Sequence, residues 1–181
     1  MLRTLGVGLC VVLGGGVFGC AASAPKTHAA RQELHGDAEE AVAQMTARDP
    51  DLKPLLDQAA GYVVFPDVKQ GGFVVGGASG QGVLFVNGRR AGFAQLSQAS
   101  VGAQIGGQKY SEVVVFRDQS ALDRAKASKM DLGAQASATI VKAGAASSTR
   151  FNDSGVAVFV QPKGGAMLNV SLTGQTVKFT G

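Results

Sequence analysis

The sequence predicts an α+β fold in which two N-terminal helices precede a glycine-rich, mostly antiparallel β-sheet, with one further helix in mid-chain. Three observations predict this class. Apolar residues recur at helical spacing between residues 31 and 48, strand-like alternation begins at Tyr62, and Asn87-Gly88 stands between apolar runs as a two-residue hairpin turn. The strands follow one another as a meander of hairpins, which can curl into a barrel-like sheet.

Both N-terminal helices lie before residue 61. The first is predicted from about Arg31 to the Asp49-Pro50 stop, with an acidic outward face and an apolar stripe of Leu34, Ala38, Ala41, Val42 and Met45. The stretch "DLKPLLDQAA" predicts a second, shorter helix that ends at Gly61. We expect these helices to pack on the sheet.

The strands begin with "YVVF", followed by a predicted turn at Pro66-Asp67. The stretches "GGFVVGG" and "GVLFVNG" flank a second predicted turn, from Ala78 to Gln81. The stretches "SVGAQIGGQ" and "SEVVVFRD" continue the meander. Alternation in the latter places Glu112 on the opposite face from Val113.

The second half of the chain begins with the mid-chain helix "DQSALDRAKASKM", for which Asp118 is the polar N-cap. A strand, "ASATIVKAG", and a polar loop, "AASSTRFNDSG", follow it. A hairpin with its turn from Pro162 to Gly165 comes next, and "QTVKF" is the last strand.

The stretch "GGFVVGGASGQGVLFV", Gly71 to Val86, contains six glycines. A dinucleotide-binding loop places its glycines between a strand and a long helix, whereas Gly80 and Gly82 lead into another strand, so a phosphate-binding loop is excluded. In a strand, one face carries mainly small groups and lets another backbone or a helix approach closely. That face comprises Gly72, Val74, Gly76, Ala78, Gly80 and Gly82.

The N-terminus has the layout of a secretory signal, with Arg3, an uncharged apolar run and small residues. Its end, "VFGC", resembles the lipobox of bacterial lipoproteins, which makes Cys20 the predicted site of lipid (palmitate-type) attachment. Residues 1–19 are then a lipoprotein signal peptide, residues 20–30 a linker and residues 31–181 a single domain. In a Gram-negative cell, Ala21 resembles the sorting pattern for the outer membrane. The alternative is an ordinary secretory signal with an incidental cysteine.

Charge is distributed unevenly along the chain. Between Glu33 and Asp67 there are eight acidic and two basic residues, whereas from Val68 onward there are twelve basic and five acidic residues. Such a basic segment suggests an anionic partner, and bases at strand ends and turns suit phosphate headgroups. The candidates are Lys69, Arg89, Arg90, Lys109, Arg117 and Lys163. The alternative is that they are solvated surface residues without a ligand.

The sequence contains little that suggests catalysis. The only histidines, His28 and His35, lie in the linker and the first helix, and no metal-binding, cofactor-binding or nucleophile motif is present. We therefore predict that the protein is not an enzyme and needs no metal or cofactor. Nucleic acid is a poor partner because no aromatic stacking residues alternate with the bases.

Two glycine-rich segments repeat: "FVQPKGGAMLNVSLTGQ" near the C-terminus echoes "FPDVKQGGFVVGGASGQ", which predicts two similar hairpins in one sheet. Together with "QLSQASVGAQIGGQKYSEVVVFRD", these motifs resemble the SYLF domain, also called the Ysc84 actin-binding domain, from about Val42 to Thr180. The resemblance implies a non-enzymatic domain that binds phosphoinositides and actin in eukaryotes and occurs in bacterial envelope proteins. The acidic first helix departs from the membrane-binding N-terminal helix of eukaryotic members, and Phe93 stands where relatives often have tryptophan.

Two hypotheses about function follow. In the first, a lipid-anchored protein of the bacterial envelope, facing the periplasm or the outside, binds anionic phospholipid through the six bases. In the second, the sheet pairs with itself or with a protein partner such as actin, and lipid binding is incidental.

Overall fold

The computed structural model describes residues 25–72, 75–101, 107–127, 130–132, 138–142, 144–149, 151–164 and 174–180. The helices are α1 (His28–Arg48), α2 (Leu52–Gln58), α3 (Gln119–Ala127) and α4 (Ala145–Ser148). The strands are β1 (Gly61–Gly72), β2 (Val75–Val86), β3 (Arg89–Val101), β4 (Gln108–Phe116), β5 (Met130–Asp131), β6 (Ala138–Ile140), β7 (Val156–Lys163) and β8 (Gln175–Thr180). The predicted signal peptide and Cys20 lie outside the described residues, as does Gly165, the last residue of the turn predicted from Pro162.

All eight strands form one curled sheet in the order β5-β8-β3-β2-β1-β4-β7-β6. Every neighbouring pair is antiparallel except β6 and β7, which are parallel. The prediction of an α+β fold with a mostly antiparallel sheet is therefore confirmed. The last strand, β8, does not pair with β7, which precedes it in the sequence, but with β3 and β5.

The sheet buries both of its faces near the centre. The concave face packs Val63, Phe65, Val114, Phe116 and their neighbours against α3. On the convex face, Val64, Val83, Val113 and Phe159 pack against α1 and α2. The α1 residues that contribute to this second cluster are Leu34, Ala38, Ala41 and Met45, four members of the predicted apolar stripe.

The first helix begins three residues before its predicted start. Thr27 is its N-cap, and the Thr27 side chain accepts a hydrogen bond from the Ala30 N–H at 3.2 Å. Threonine is a favoured N-cap residue, but the prediction followed the periodicity of apolar residues, which begins only later. The predicted start was therefore too late. The predicted N-cap of α3 is confirmed, because the Asp118 carboxylate accepts a hydrogen bond from the Ala121 N–H.

Two predicted turns are wrong because the strands continue through them, and β7 likewise continues through Pro162 and Lys163, the first half of the turn predicted from Pro162 to Gly165. Pro66 and Asp67 lie inside β1, where the register shifts against both β2 and β4. A proline has no N–H to donate to the sheet, and a bulge accommodates it without ending the strand. Likewise, Ala78 to Gln81 pair with β3 without interruption. The predicted hairpin turn at Asn87-Gly88 is confirmed, with φ values of 52° and 69°.

The small face of β2 accommodates both a side chain and the backbone of the neighbouring strand β1. Gly76, Gly80 and Gly82 are buried, as is Ala78. A Cβ atom added at Gly82 would lie 2.6 Å from Phe65 Cε1 and 2.9 Å from the Val64 carbonyl oxygen. The absence of a side chain at Gly82 therefore makes room for the buried Phe65 ring on the neighbouring strand.

The predicted polar loop from residue 145 onward begins with the one-turn helix α4. Its N-terminal N–H groups are bound by a residue almost a hundred positions away: the Asp49 carboxylate accepts from Gly144 N at 3.2 Å and from Ala146 N at 2.6 Å. Asp49 is fully buried. Because this contact is tertiary, local sequence patterns around residue 145 do not indicate the helix.

Alanine substitution at two glycines should have opposite effects. Gly82→Ala places a methyl group against the Phe65 ring and should lower the free energy of unfolding by about 1–3 kcal/mol. Gly36→Ala, in α1, meets no atom within 4 Å and should raise it by about 0.5–1 kcal/mol. Urea denaturation followed by circular dichroism measures both. Equal effects at the two sites would contradict the packing described here.

Asp49→Ala should lower the free energy of unfolding by roughly 2–4 kcal/mol, because it leaves two backbone N–H groups without their acceptor. The matched control is Asp51→Ala, since the exposed Asp51 side chain makes no capping hydrogen bond. That change should stay within about 0.5 kcal/mol of the wild type. Similar losses for both variants in the same denaturation experiment would rule out Asp49 as the residue that secures α4.

Candidate functional site

The six predicted headgroup-binding bases occupy different parts of the sheet. Lys69, Lys109 and Lys163 lie on the adjacent strands β1, β4 and β7, at directly paired positions: Lys69 opposite Lys109, and Lys109 opposite Lys163. Paired residues point to the same face of a sheet, so these three form a row, hereafter the lysine row. Neighbouring strands are about 4.8 Å apart, and the row therefore spans roughly 10 Å.

A single carboxylate partly neutralises the lysine row. Asp67 lies 3.9 Å from Lys69 Nζ and 3.8 Å from Lys163 Nζ, through its two different oxygens. Lys109, between them, forms no ion pair within the described residues. The bulge that holds Asp67 is secured by Ser111, whose buried hydroxyl donates to the Pro66 carbonyl oxygen at 2.8 Å.

A cleft of about 400 Å³ lies between α1 and two members of the lysine row, Lys109 and Lys163. Its floor includes Lys109, Ser111 and Lys163, and its helical wall is formed by Asp37, Glu40, Ala41 and Gln44. The acidic face of α1 therefore overlooks the basic end of the sheet. Sequence analysis identified both charged segments but could not show that they face each other.

The predicted arginines lie at the opposite end of the sheet. Arg90 is placed over the Phe93 ring at 5.6 Å, and Arg31 of α1 lies at the same distance from that ring. Arg89 is exposed beside the hairpin turn. Sequence analysis missed Arg31, because only the docking of α1 brings it to Phe93.

Arg117 belongs to neither group. Its guanidinium lies 6.0 Å from the centre of the Phe151 ring and forms an ion pair with Asp118 at 3.1 Å. With residues of α2 and α4, Arg117 and Phe151 line a separate cleft of about 440 Å³. The structure thus brings three of the six predicted bases together in one row, two at the hairpin, and one elsewhere.

Glu112 is a buried carboxyl group that sequence analysis did not propose as a site. It is fully buried on the concave face, and its Oε1 accepts a hydrogen bond from Gln175 Nε2 at 2.7 Å. Burial raises the pKa of Glu112 to about 7, although the bond from Gln175 opposes this rise. Burial, together with the neighbouring Glu112, also raises the pKa of Tyr110. The signal in the sequence is an acidic residue beside the apolar run "VVVF".

The described residues contain no group of three or more His, Cys, Asp or Glu side chains that could hold a metal ion. His35 is half-buried. Its ring lies 5.6 Å from the Phe85 ring centre, and its Nε2 lies 3.6 Å from a Glu39 oxygen. These contacts account for His35 as a residue that packs α1 against the sheet. Among the helices that the structure describes, none is long and apolar enough to span a bilayer.

The chain has an α+β fold, and comparisons with known proteins show which proteins it is similar to. Residues 97–180 match the Ysc84 family, described as "Las17-binding protein actin regulator". Beta cell expansion factor A of Aeromonas veronii is 27% identical over 154 residues, which are 83% of this chain and 58% of that protein. The resemblance seen in the sequence is confirmed over residues 97–180, which match the Ysc84 (SYLF) family model. It spans little more than half the length of this relative.

The raised pKa of Glu112 makes stability depend on pH. Between the ordinary value of 4.5 and about 7, the folded chain holds a proton that the unfolded chain releases, so the free energy of unfolding falls as pH rises through this window. The loss from this group should be on the order of 3 kcal/mol. Glu112→Gln removes the titrating carboxyl group and with it this loss. The stability of the variant relative to the wild type should therefore increase as pH rises.

Urea denaturation of wild type and Glu112→Gln at intervals from pH 4 to pH 8 checks this expectation. The difference between the two proteins isolates Glu112 from other groups that titrate in the same range. A constant difference across the range would show that Glu112 is not protonated in the folded protein near pH 6.

Proposed function

We propose that this chain is a lipid-anchored protein of the bacterial envelope whose Ysc84-type domain binds anionic phospholipid headgroups and catalyses no reaction. The observation that supports it most directly is the lysine row. Like charges directly opposite each other destabilise a sheet, and three of them in register favour a role in binding an anion.

The charge state of the row supports binding of phosphate. Its central member, Lys109, has no carboxylate partner within the described residues, and the outer two share one carboxylate, that of Asp67. A basic residue near an anionic surface contributes about 1 kcal/mol. The row is therefore expected to contribute about 2–3 kcal/mol to membrane binding.

Arg89 and Arg90 form the second proposed contact, together with Arg31 at the Phe93 ring. Arg117 remains a candidate for a separate headgroup contact, because its side chain is about half exposed beside Phe151. Acyl chains on Cys20 would supply the stable anchor, since a single weak attachment binds membranes only reversibly and a second signal strengthens it.

The direct test is co-sedimentation of the unlipidated protein with neutral, choline-headgroup vesicles and with anionic vesicles at two salt concentrations. We expect binding to anionic vesicles only, weaker at high salt because exposed charges are screened. Neutralising Lys109→Gln and Lys163→Gln together should weaken binding roughly tenfold or more, as expected for the loss of two surface cations.

The control pair is Lys53→Gln with Lys126→Gln, which removes the same charge from the exposed surfaces of α2 and α3. Binding of the control should stay within a few-fold of the wild type. No binding to either vesicle, or equal losses in both double variants, would refute headgroup recognition by the lysine row.

A protein partner is the second candidate function. The family description names an actin regulator that binds Las17, and part of the convex face near β3 and β8 is exposed and polar. There, Ser97 Oγ and Thr176 Oγ1 lie 3.0 Å apart beside the exposed Lys178. Self-association of the protein without lipid, measured by analytical ultracentrifugation, would favour this candidate.

A further inference from the structure

The cleft between α1 and the lysine row carries charges of both signs. Its lining includes the carboxylates of Asp37, Glu40 and Asp67, and the ammonium groups of Lys109 and Lys163. Asp37 and Glu40 lie one helical turn apart on α1 and so share the face turned to the cleft. The acidic groups of the wall and the basic groups of the floor therefore stand on opposite sides of one space.

These facing charges do not neutralise one another directly. No ion pair within 4 Å joins Asp37 or Glu40 to Lys109 or Lys163, all of which the structure describes. Glu40 instead accepts a hydrogen bond from Gln44 Nε2, on its own helix, at 3.0 Å. The cleft thus holds separated positive and negative sites with about 400 Å³ between its walls.

Such a cleft favours a ligand with two charges. A simple anion that contacts the lysines also meets three carboxylates, and a simple cation that contacts the carboxylates also meets two lysines. A ligand with a phosphate at one end and a primary ammonium group at the other places each charge next to its opposite. Both contacts are then charge-assisted hydrogen bonds.

We propose that this cleft is a binding site for aminoalkyl phosphates, the chemistry of an ethanolamine phosphate headgroup. The phosphate lies on Lys109 and Lys163, and the ammonium group lies against Asp37 and Glu40. This inference rests on the proposed binding of headgroup phosphate by the lysine row, and it adds that the cleft prefers a zwitterionic headgroup whose ammonium group contacts α1. In this inference the acidic face of α1 binds the ammonium group of the ligand. Binding to a purely anionic surface would give that face no role.

The test titrates the purified protein with phosphoethanolamine, with phosphocholine and with inorganic phosphate, followed by NMR chemical-shift changes. Phosphoethanolamine should bind roughly tenfold more tightly than phosphate, because it makes an additional charged hydrogen bond. Phosphocholine, whose ammonium group has no N–H, should bind more weakly than phosphoethanolamine.

Glu40→Gln with Asp37→Asn should abolish the preference for phosphoethanolamine while leaving phosphate binding equal or tighter. Lys163→Gln should weaken both ligands. Asp57→Asn, which removes an exposed acid on α2, is the matched control and should retain the preference. Because all of these substitutions are at exposed positions, circular dichroism should show that the variants remain folded.

Equal binding of phosphate and phosphoethanolamine by the wild type, or a preference that survives in the α1 variant, would overturn the inference. Vesicle binding separates this failure from failure of the proposed function. Lysine-dependent binding to anionic vesicles without a preference for phosphoethanolamine refutes only the inference. Vesicles with ethanolamine or choline headgroups decide whether the ligand is a lipid or a free aminoalkyl phosphate, and either source supports the site.

Discussion

The register of β4 against β1 and β7 is the constraint on which the rest of the structure depends. It places Lys109 and Ser111 on the face that α1 covers, and Tyr110 and Glu112 on the concave face. A slip of one residue would exchange the two faces. Val113 to Phe116 oppose this slip only weakly, since both of their faces are buried and apolar. The polar residues at the start of β4 therefore carry much of the information that sets the register.

The same register brings the three lysines of the lysine row together. Carboxylates from segments that are distant in the sequence lie near them and reduce their repulsion. The β1 bulge supplies Asp67, which lies within 4 Å of two lysines, and α1 brings a wall of carboxylates to the opposite side of the cleft. The acidic N-terminal segment and the basic later segment of the chain therefore face each other, with the carboxylates on α1 and the lysines on the sheet. Because exposed charges interact weakly through water, the pairing leaves a polar cleft accessible to solutes and does not close it.

Curling of the sheet has a direct chemical consequence. Three strands separate β4 from β8, so a flat sheet would keep them roughly 19 Å apart. The 2.7 Å hydrogen bond between Gln175 and Glu112 forms because the concave face brings these strands together. On the same face, the absence of a side chain at Gly82 lets the Phe65 ring pack close to the backbone of β2. The Glu112 carboxyl group is thereby held in an apolar interior, where burial raises its pKa.

The sequence by itself determined the fold class, the α1 stripe, the Asn87-Gly88 turn and the resemblance to the Ysc84 (SYLF) family, because helical periodicity, turn chemistry and motif order are local properties. It also identified the six lysines and arginines that are candidates for binding headgroups. Only the tertiary structure decided that Lys69, Lys109 and Lys163 form one row while Arg117 lies apart, since strand order and register arise from pairings across the chain. The turn predicted at Pro66-Asp67 failed for the same reason, because two neighbouring strands hold the bulge extended.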